Sequence, residues 1–174
     1  MIKLYITKCS KKDEHDTGVI LAKYALYDAF SLRAELLYAP NGKPYFEGVP
    51  AHISISHSFG LCLAAISDSE IGADIEKHRY DTEKLTKLAR RYFTKEEAEY
   101  VEKAPLLHFY EIWCSKESYI KFTGEGFSKP LSSFSLKDLT LFISTASIDG
   151  FTVAVCSKEQ IEIKPNLVDV HIDD

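Results

Sequence analysis

The sequence predicts an α+β fold with mixed or antiparallel sheets. Two observations carry that prediction. The apparent elements run strand, helix, strands, helices, strands, instead of alternating singly as in a parallel α/β sheet. The strand-like runs are short and joined by tight turn residues, as in antiparallel meanders. The order also divides into two halves of similar plan, although no repeat is visible in the residues themselves.

Ile2 to Thr7 alternates like a short strand, and Lys11 to Asp16 is a charged loop. Apolar residues at helical spacing, among them Leu21, Ala25, Leu32 and Leu36, predict a helix over Val19 to Leu37. Asn41-Gly42-Lys43-Pro44 is a turn. His52 to Ser58 alternates strictly. Gly60 turns the chain into the apolar run Leu61 to Ser67, and Asp68-Ser69 into Glu70 to Glu76, which together predict a three-stranded antiparallel meander. Asp81 to Arg91 and Lys95 to Lys103 read as helices, the second capped by Thr94 with Glu97 three residues on. Pro105 opens the longest helix, about Leu106 to Thr123, which Gly124 ends. Leu139 to Ala146 and Phe151 to Ser157 form a hairpin around Asp149-Gly150, and the last residues are expected to fray.

The chain has 174 residues, 45% of them hydrophobic and 27% charged, which excludes disorder, collagen and coiled coil and gives enough length to bury a core. A net charge of -5 leaves no global basic field for nucleic acid. Cys9, Cys62, Cys114 and Cys156 show neither CxxC nor zinc-finger spacing, and the N-terminus has no signal-like apolar stretch. No apolar run is long enough to span a membrane. The expectation is a cytoplasmic protein, not bound to membrane or nucleic acid, with reduced and mostly buried thiols.

Several groups of residues fit chemistry. On a strand, Asp74 and Glu76 of Gly72-Ala73-Asp74-Ile75-Glu76 share a face, where two carboxylates repel unless a cation lies between them. A hard divalent ion suits that site; ion pairs to Lys77 and Arg79 are the plainer reading. On the long helix Glu117 and Lys121 lie one turn apart beside Trp113, fitting a base or metal ligand and a phosphate clamp, or equally an ordinary i,i+4 pair. His57, between Ser56 and Ser58 at a strand end, fits a phosphate site or a hydrogen-bonded histidine. Lys43 on its turn fits a phosphate ligand or a solvated lysine. Lys87, Arg90 and Arg91 form a local basic cluster.

Individually these signals are weak, but their order is specific. NGKPYF, ISISHS, GADIE, RRYFTKEE and WCSKESYIKFTGEG in succession resemble the 4′-phosphopantetheinyl transferases of the surfactin-synthetase-activating type, over about Asn41 to Ser135. The resemblance implies two similar α/β halves related by a pseudo-twofold, each a small, mostly antiparallel sheet on a long helix, with the substrate in the cleft. Residues 1–68 are then the nucleotide side, and residues 69–174 the metal side with the catalytic helix. It implies transfer of the 4′-phosphopantetheine arm of coenzyme A to a serine of an apo acyl or peptidyl carrier protein, of fatty-acid, polyketide or nonribosomal-peptide type, with release of 3′,5′-ADP. By the same resemblance Asp74, Glu76 and Glu117 hold Mg²⁺, or Mn²⁺, while Lys43, Ser56, His57, Lys116 and Lys121 contact coenzyme A. Glu117 and Lys121 are the catalytic pair. Ser54 stands where the family has asparagine, and its shorter side chain predicts a partner reached only through water. The arginine-rich segment before the first helix appears only as Lys11-Lys12 among acidic residues.

Two halves in one chain make a monomer sufficient. The alternatives are a degenerate relative that binds coenzyme A or a carrier without catalysis, and an unrelated metal-dependent phosphodiesterase or nuclease. The first leaves Asp74, Glu76, Glu117 and Lys121 without a purpose. The second calls for more carboxylates or a histidine base, and a basic groove.

Overall fold

Strand β1 (Ile2–Lys8) is followed by helix α1 (Glu14–Phe30), then by β2 (Leu36–Tyr38), β3 (Pro44–Phe46), β4 (His52–Ser58), β5 (Leu61–Ser67) and β6 (Gly72–Lys77). Helices α2 (Thr82–Tyr92), α3 (Lys95–Lys103) and α4 (Pro105–Thr123) come next, and β7 (Phe142–Ile148), β8 (Phe151–Ser157) and β9 (Asn166–Leu167) complete the order. The structure is a computed structural model that describes residues 1–126 and 129–170.

The described strands form two sheets, one ordered β2-β3-β4-β5-β1-β9 and one ordered β6-β8-β7. Pairing is antiparallel throughout except for β9, which lies parallel to β1. The architecture is thus α+β. Leu21, Ala22, Ala25 and Leu26 of α1 pack on one face of the larger sheet, against Tyr5, Ile53, Ala64 and Ile66. Its other face, with Leu4, Ile6, Leu63 and Ala65, meets Ile71 just before β6, Ala73 and Ile75 of β6, and Val153 and Val155 of β8. A third apolar cluster joins α2, α3 and α4 through Leu85, Val101, Phe109 and Ile112.

The predicted meander breaks at its third strand. β4 and β5 pair as expected, but β6 leaves for the second sheet and pairs with β8. Alternation marks a strand's faces and says nothing of its partner. β6 is an edge strand of that sheet, and its free edge lies across the face of β4. There the serines of β4 stand in for a backbone ladder. The Ser54 hydroxyl accepts from the Ala73 N–H at 2.9 Å, Ser56 from Ile75 at 3.4 Å and Ser58 from Lys77 at 3.1 Å. Buried donors on an open edge are thereby satisfied by side chains. Ser54 reaches its partner directly, which corrects the expectation of a bridging water.

Helix α1 begins at Glu14, inside the predicted charged loop, and stops at Ser31, which is left-handed with φ 57°. Leu32 and Leu36 continued the helical spacing by coincidence, and Leu36 belongs to β2 instead. β3 opens at Pro44, opposite Tyr38, where a first-position proline is tolerated. The capping box of α3 forms as predicted, with Thr94 and Glu97 bonding reciprocally. The hairpin turn at Asp149-Gly150 also forms, with φ of 47° and 77°. Instead of fraying, Asn166–Leu167 pairs with β1; residues 171–174 lie outside the described residues. All four cysteines are free thiols, three of them buried.

Helix α4 packs on β6 at a distance only glycine permits. A Cβ on Gly72 would lie 2.0 Å from the Ser118 carbonyl oxygen and 2.4 Å from the Phe122 nitrogen. Gly72→Ala is expected to destabilise the fold by at least about 3 kcal/mol in urea denaturation. Gly42→Ala, where no atom lies within 4 Å of the added Cβ, should cost only the about 1–2 kcal/mol of its left-handed backbone.

Candidate active site

A cavity of about 240 Å³ opens between the larger sheet and helix α4. Its walls are the turn Asn41–Pro44, Ile53 to Ile55 of β4, and Glu117, Ile120, Lys121 and Gly124 of α4. Among the described residues β3 pairs with β4 at Tyr45 and His52 alone, and the next β4 residues, Ile53 to Ile55, border the cavity. The turn is tied to the end of α4. Asn41 Nδ2 donates to the Gly124 carbonyl at 2.8 Å, and Lys43 Nζ donates to the Phe122 carbonyl at 2.7 Å and to Glu70. Both fill acceptors that a helix end leaves open.

Three of the predicted residues form one electrostatic cluster with a fourth. Asp74 is buried, and its Oδ1 accepts from Lys121 Nζ and from the Ser56 hydroxyl, each at 2.8 Å. Its Oδ2 is buried with no hydrogen-bond partner among the described residues. Glu76 Oε2 accepts from the Ser58 hydroxyl at 2.9 Å. Burial pushes the Glu117 carboxyl up to about 7, with Asp74 and Glu76 adding to the rise and Lys121 opposing it. Glu76 is also raised, by burial and then by Asp74, against Ser58, Arg79 and Lys121. The buried Cys114 thiol is held neutral by burial and by the same two carboxylates, so it is not a nucleophile.

An orphaned carboxylate oxygen beside two carboxyls raised by burial and by acidic neighbours is what oxygen ligands look like without their cation. The donor set, all oxygen, fits a hard divalent ion. Among the described residues, no three acidic, histidine or cysteine side chains are closed to ligating geometry as they stand. Lys121 holds Asp74 in that arrangement.

The other predicted residues fall elsewhere. Lys116 is fully buried, and its ammonium donates to the carbonyls of Leu131 and Phe134 and pairs with Glu97 at 2.8 Å. It is one residue from Glu117 and so points to another side of the helix. Lys116, which the resemblance puts on coenzyme A, here docks the segment after α4. Ser56, also predicted to contact cofactor, is turned away from the cavity onto Asp74. His57 lies on the face of β4 toward α1, half-exposed, with Nδ1 3.0 Å from Glu14. Lys43 lines the cavity, but Glu70 and the Phe122 carbonyl hold its ammonium. Trp113 packs edge-on against Tyr92 beside a second cavity that Glu76 and Arg79 also line.

Comparison with known proteins decides the family. A model of the 4′-phosphopantetheinyl transferase superfamily matches residues 70–163. The chain belongs to the 4′-phosphopantetheinyl transferase superfamily. It is 32% identical to the 4′-phosphopantetheinyl transferase ffp of Bacillus subtilis, over 84% of this chain and 75% of that protein. It is 31% identical to the 4′-phosphopantetheinyl transferase Sfp of Bacillus subtilis strain 168, over the same shares. Against the 4′-phosphopantetheinyl transferase AcpT of Salmonella typhi, identity is 30% over 86% of this chain and 80% of that one. The match to the superfamily model begins two residues before β6 and takes in every acidic member of the cluster.

Sequence reasoning missed Glu97 as the partner of Lys116, although the capping box had already singled it out. It also missed what Ser54, Ser56 and Ser58 do together. The signal was present, since strict alternation puts all three on one face.

Two outcomes follow from this geometry. Glu117 titrates near 7 in the folded metal-free chain and near 4.5 unfolded, so the folded state binds more protons between those values. Stability should therefore fall as pH rises from about 4.5 to about 7, by up to about 3 kcal/mol, and Glu117→Gln should flatten that slope in urea denaturation without metal. Lys116→Met strands the buried Glu97 carboxylate and should cost about 3–5 kcal/mol. Adding Glu97→Gln should recover part of that loss, as a double-mutant cycle would read.

Proposed function

We propose that this superfamily member transfers 4′-phosphopantetheine from coenzyme A to a serine hydroxyl of an apo acyl or peptidyl carrier protein, releasing 3′,5′-ADP. Family membership supports the reaction class. The observation that carries the site is the coupled cluster of Asp74, Glu76 and Glu117 around Lys121, with Asp74 Oδ2 buried and unpartnered.

The nucleophile belongs to the partner, so this chain needs a base and a way to manage phosphate charge. Glu117, raised toward neutrality, is matched to removing the serine proton at physiological pH. The serine oxygen bonds to the β-phosphorus of coenzyme A, and the bond from that phosphorus to the bridging oxygen breaks. The electron pair leaves on 3′,5′-ADP. Lys121, a half-buried cation one helical turn from Glu117, balances that charge. Asp74, Glu76 and Glu117 would hold Mg²⁺, with Mn²⁺ as a substitute, and a divalent ion so held supplies neutralisation of the pyrophosphate. The extended substrate reaches Lys43 and His57 around the edge of β4, with residues 1–68 on its nucleotide side and 69–174 on its metal side.

We also read the chain as a cytoplasmic monomer; no described helix is long and apolar enough to cross a membrane. Carrier recognition is local, because the chain itself carries net charge -5. On α2, Lys87 pairs with Glu83 and Arg90 with Glu102, which leaves Arg91, stacked over Tyr92, as the cation of that cluster set on an aromatic ring.

Incubation with a fluorophore-bearing coenzyme A and an apo carrier tests the reading: the carrier should become labelled on serine. EDTA should abolish labelling, and Mg²⁺ or Mn²⁺ should restore it. In single-turnover transfer at saturating substrates, Glu117→Gln should lower the rate by about 10²–10⁴ with the fold intact. Lys121→Ala should lower the transfer rate without weakening metal binding, because it removes the cation that competes for Asp74. Undiminished turnover in both variants would remove the active site from α4.

A further inference from the structure

The serines of β4 make the same bond to β6 three times, yet only two of them go on to touch a carboxylate. Ser54, Ser56 and Ser58 each accept a backbone N–H from the residue 19 positions ahead. That contact occupies lone-pair density on each hydroxyl oxygen. A serine has one proton to give, and its direction is then limited. At Ser56 it goes to Asp74 Oδ1 at 2.8 Å, and at Ser58 to Glu76 Oε2 at 2.9 Å. At Ser54 the acceptor among the described residues is the Ala73 carbonyl, at 3.5 Å. The hydroxyls are buried, so water does not compete freely for them.

We infer that Ser56 and Ser58 are positioning residues of the transferase site: their hydroxyls pin one oxygen each of Asp74 and Glu76 and leave the other oxygen turned to the cation. The inference rests on the reading of Asp74, Glu76 and Glu117 as cation ligands. At Asp74 the division of labour is visible. Oδ1 takes both Ser56 and Lys121, whereas Oδ2 is buried and unpartnered. A neutral donor suits this task, because it orients a carboxylate without cancelling the charge a divalent ion needs. It also ties the ligands to the seam between sheets, so the ligand strand and its orienting strand hold one register. Ser54 is the same rung without a ligand and serves as an internal control.

The test is uptake of Mn²⁺ by the full chain with saturating coenzyme A and no carrier, read by loss of the free-ion electron paramagnetic resonance signal. Urea denaturation of each variant runs beside it. Ser56→Ala and Ser58→Ala should each weaken Mn²⁺ binding by about ten- to a hundredfold, the usual effect of removing an orienting partner of a metal ligand. Ser58→Thr, which keeps a hydroxyl on the strand, should bind close to wild type. Ser54→Ala should lose stability with Mn²⁺ affinity unchanged. Should Ser56→Ala not fold, the Ser58 pair decides. Equal Mn²⁺ affinity in Ser58→Ala and wild type would overturn the inference, as would an equal loss in Ser54→Ala, for the rungs would then be purely structural. A wild-type chain that takes up no Mn²⁺ would overturn the ligand reading itself, and this inference with it.

Discussion

The edge of β6 laid across the face of β4 is the constraint on which the rest of the molecule depends. Two sheets that meet face to edge have no shared ladder to fix their register. Here three serine hydroxyls supply it, one for each outward N–H of β6. Apolar packing of Ile71, Ala73 and Ile75 against Leu63 and Ala65 supplies the attraction, but dispersion and burial are weakly directional. Hydrogen bonds at two-residue spacing are directional, and a slip by one residue would strand every rung at once.

That register places the carboxylates. With its free edge on β4 and its other edge on β8, β6 offers Asp74 and Glu76 to α4. Gly72 brings the helix backbone against the strand, so Glu117 and Lys121 arrive within electrostatic reach of both acids. Such closeness raises Glu76 and Glu117, and without a balancing cation it costs stability. Lys121 offsets part of that cost. Lys116, on the same helix, does unrelated work in a buried pocket with Glu97, where burial lowers its affinity for protons. Two lysines five residues apart on one helix thus serve a site and a scaffold.

What could be read from the sequence follows the physics of each signal. Periodicity and caps are local, and α3, α4 and the β7–β8 hairpin formed close to expectation. The order of motifs led to the family and to the acidic cluster. Partnering is not local, so β6 was assigned to the wrong sheet, and the two-residue β9 gave no signal at all. Helix α1 was placed too late because Asp13 to Asp16 looked like a solvated loop, although acidic residues also suit a helix start. At the site, strand alternation puts His57 on the opposite face from its flanking serines, but it does not say which face meets the carboxylates. The buried place of Lys116 was not legible, because a motif match ranks residues by identity, while burial is decided by a 100° step around the helix.

The same geometry explains how a turn in the first half belongs to a site whose charges lie in the second. α4 ends at Gly124, and its last carbonyls face Asn41 and Lys43. A lysine at a helix C-terminus is favoured by the helix dipole, and an asparagine amide satisfies a carbonyl that the helix leaves open. Glu70, at the start of the crossing into β6, takes the remaining charge of Lys43. Turn, helix end and crossing segment are therefore held at one point, on the opposite rim of the cavity from the serine seam. α4 cannot roll on β6 without breaking its bonds to Asn41 and Lys43 or the Lys121–Asp74 pair. The distance from Glu117 to Asp74 and Glu76 is consequently set by the fold as a whole, and a ligand entering the cavity meets a charge cluster already in place.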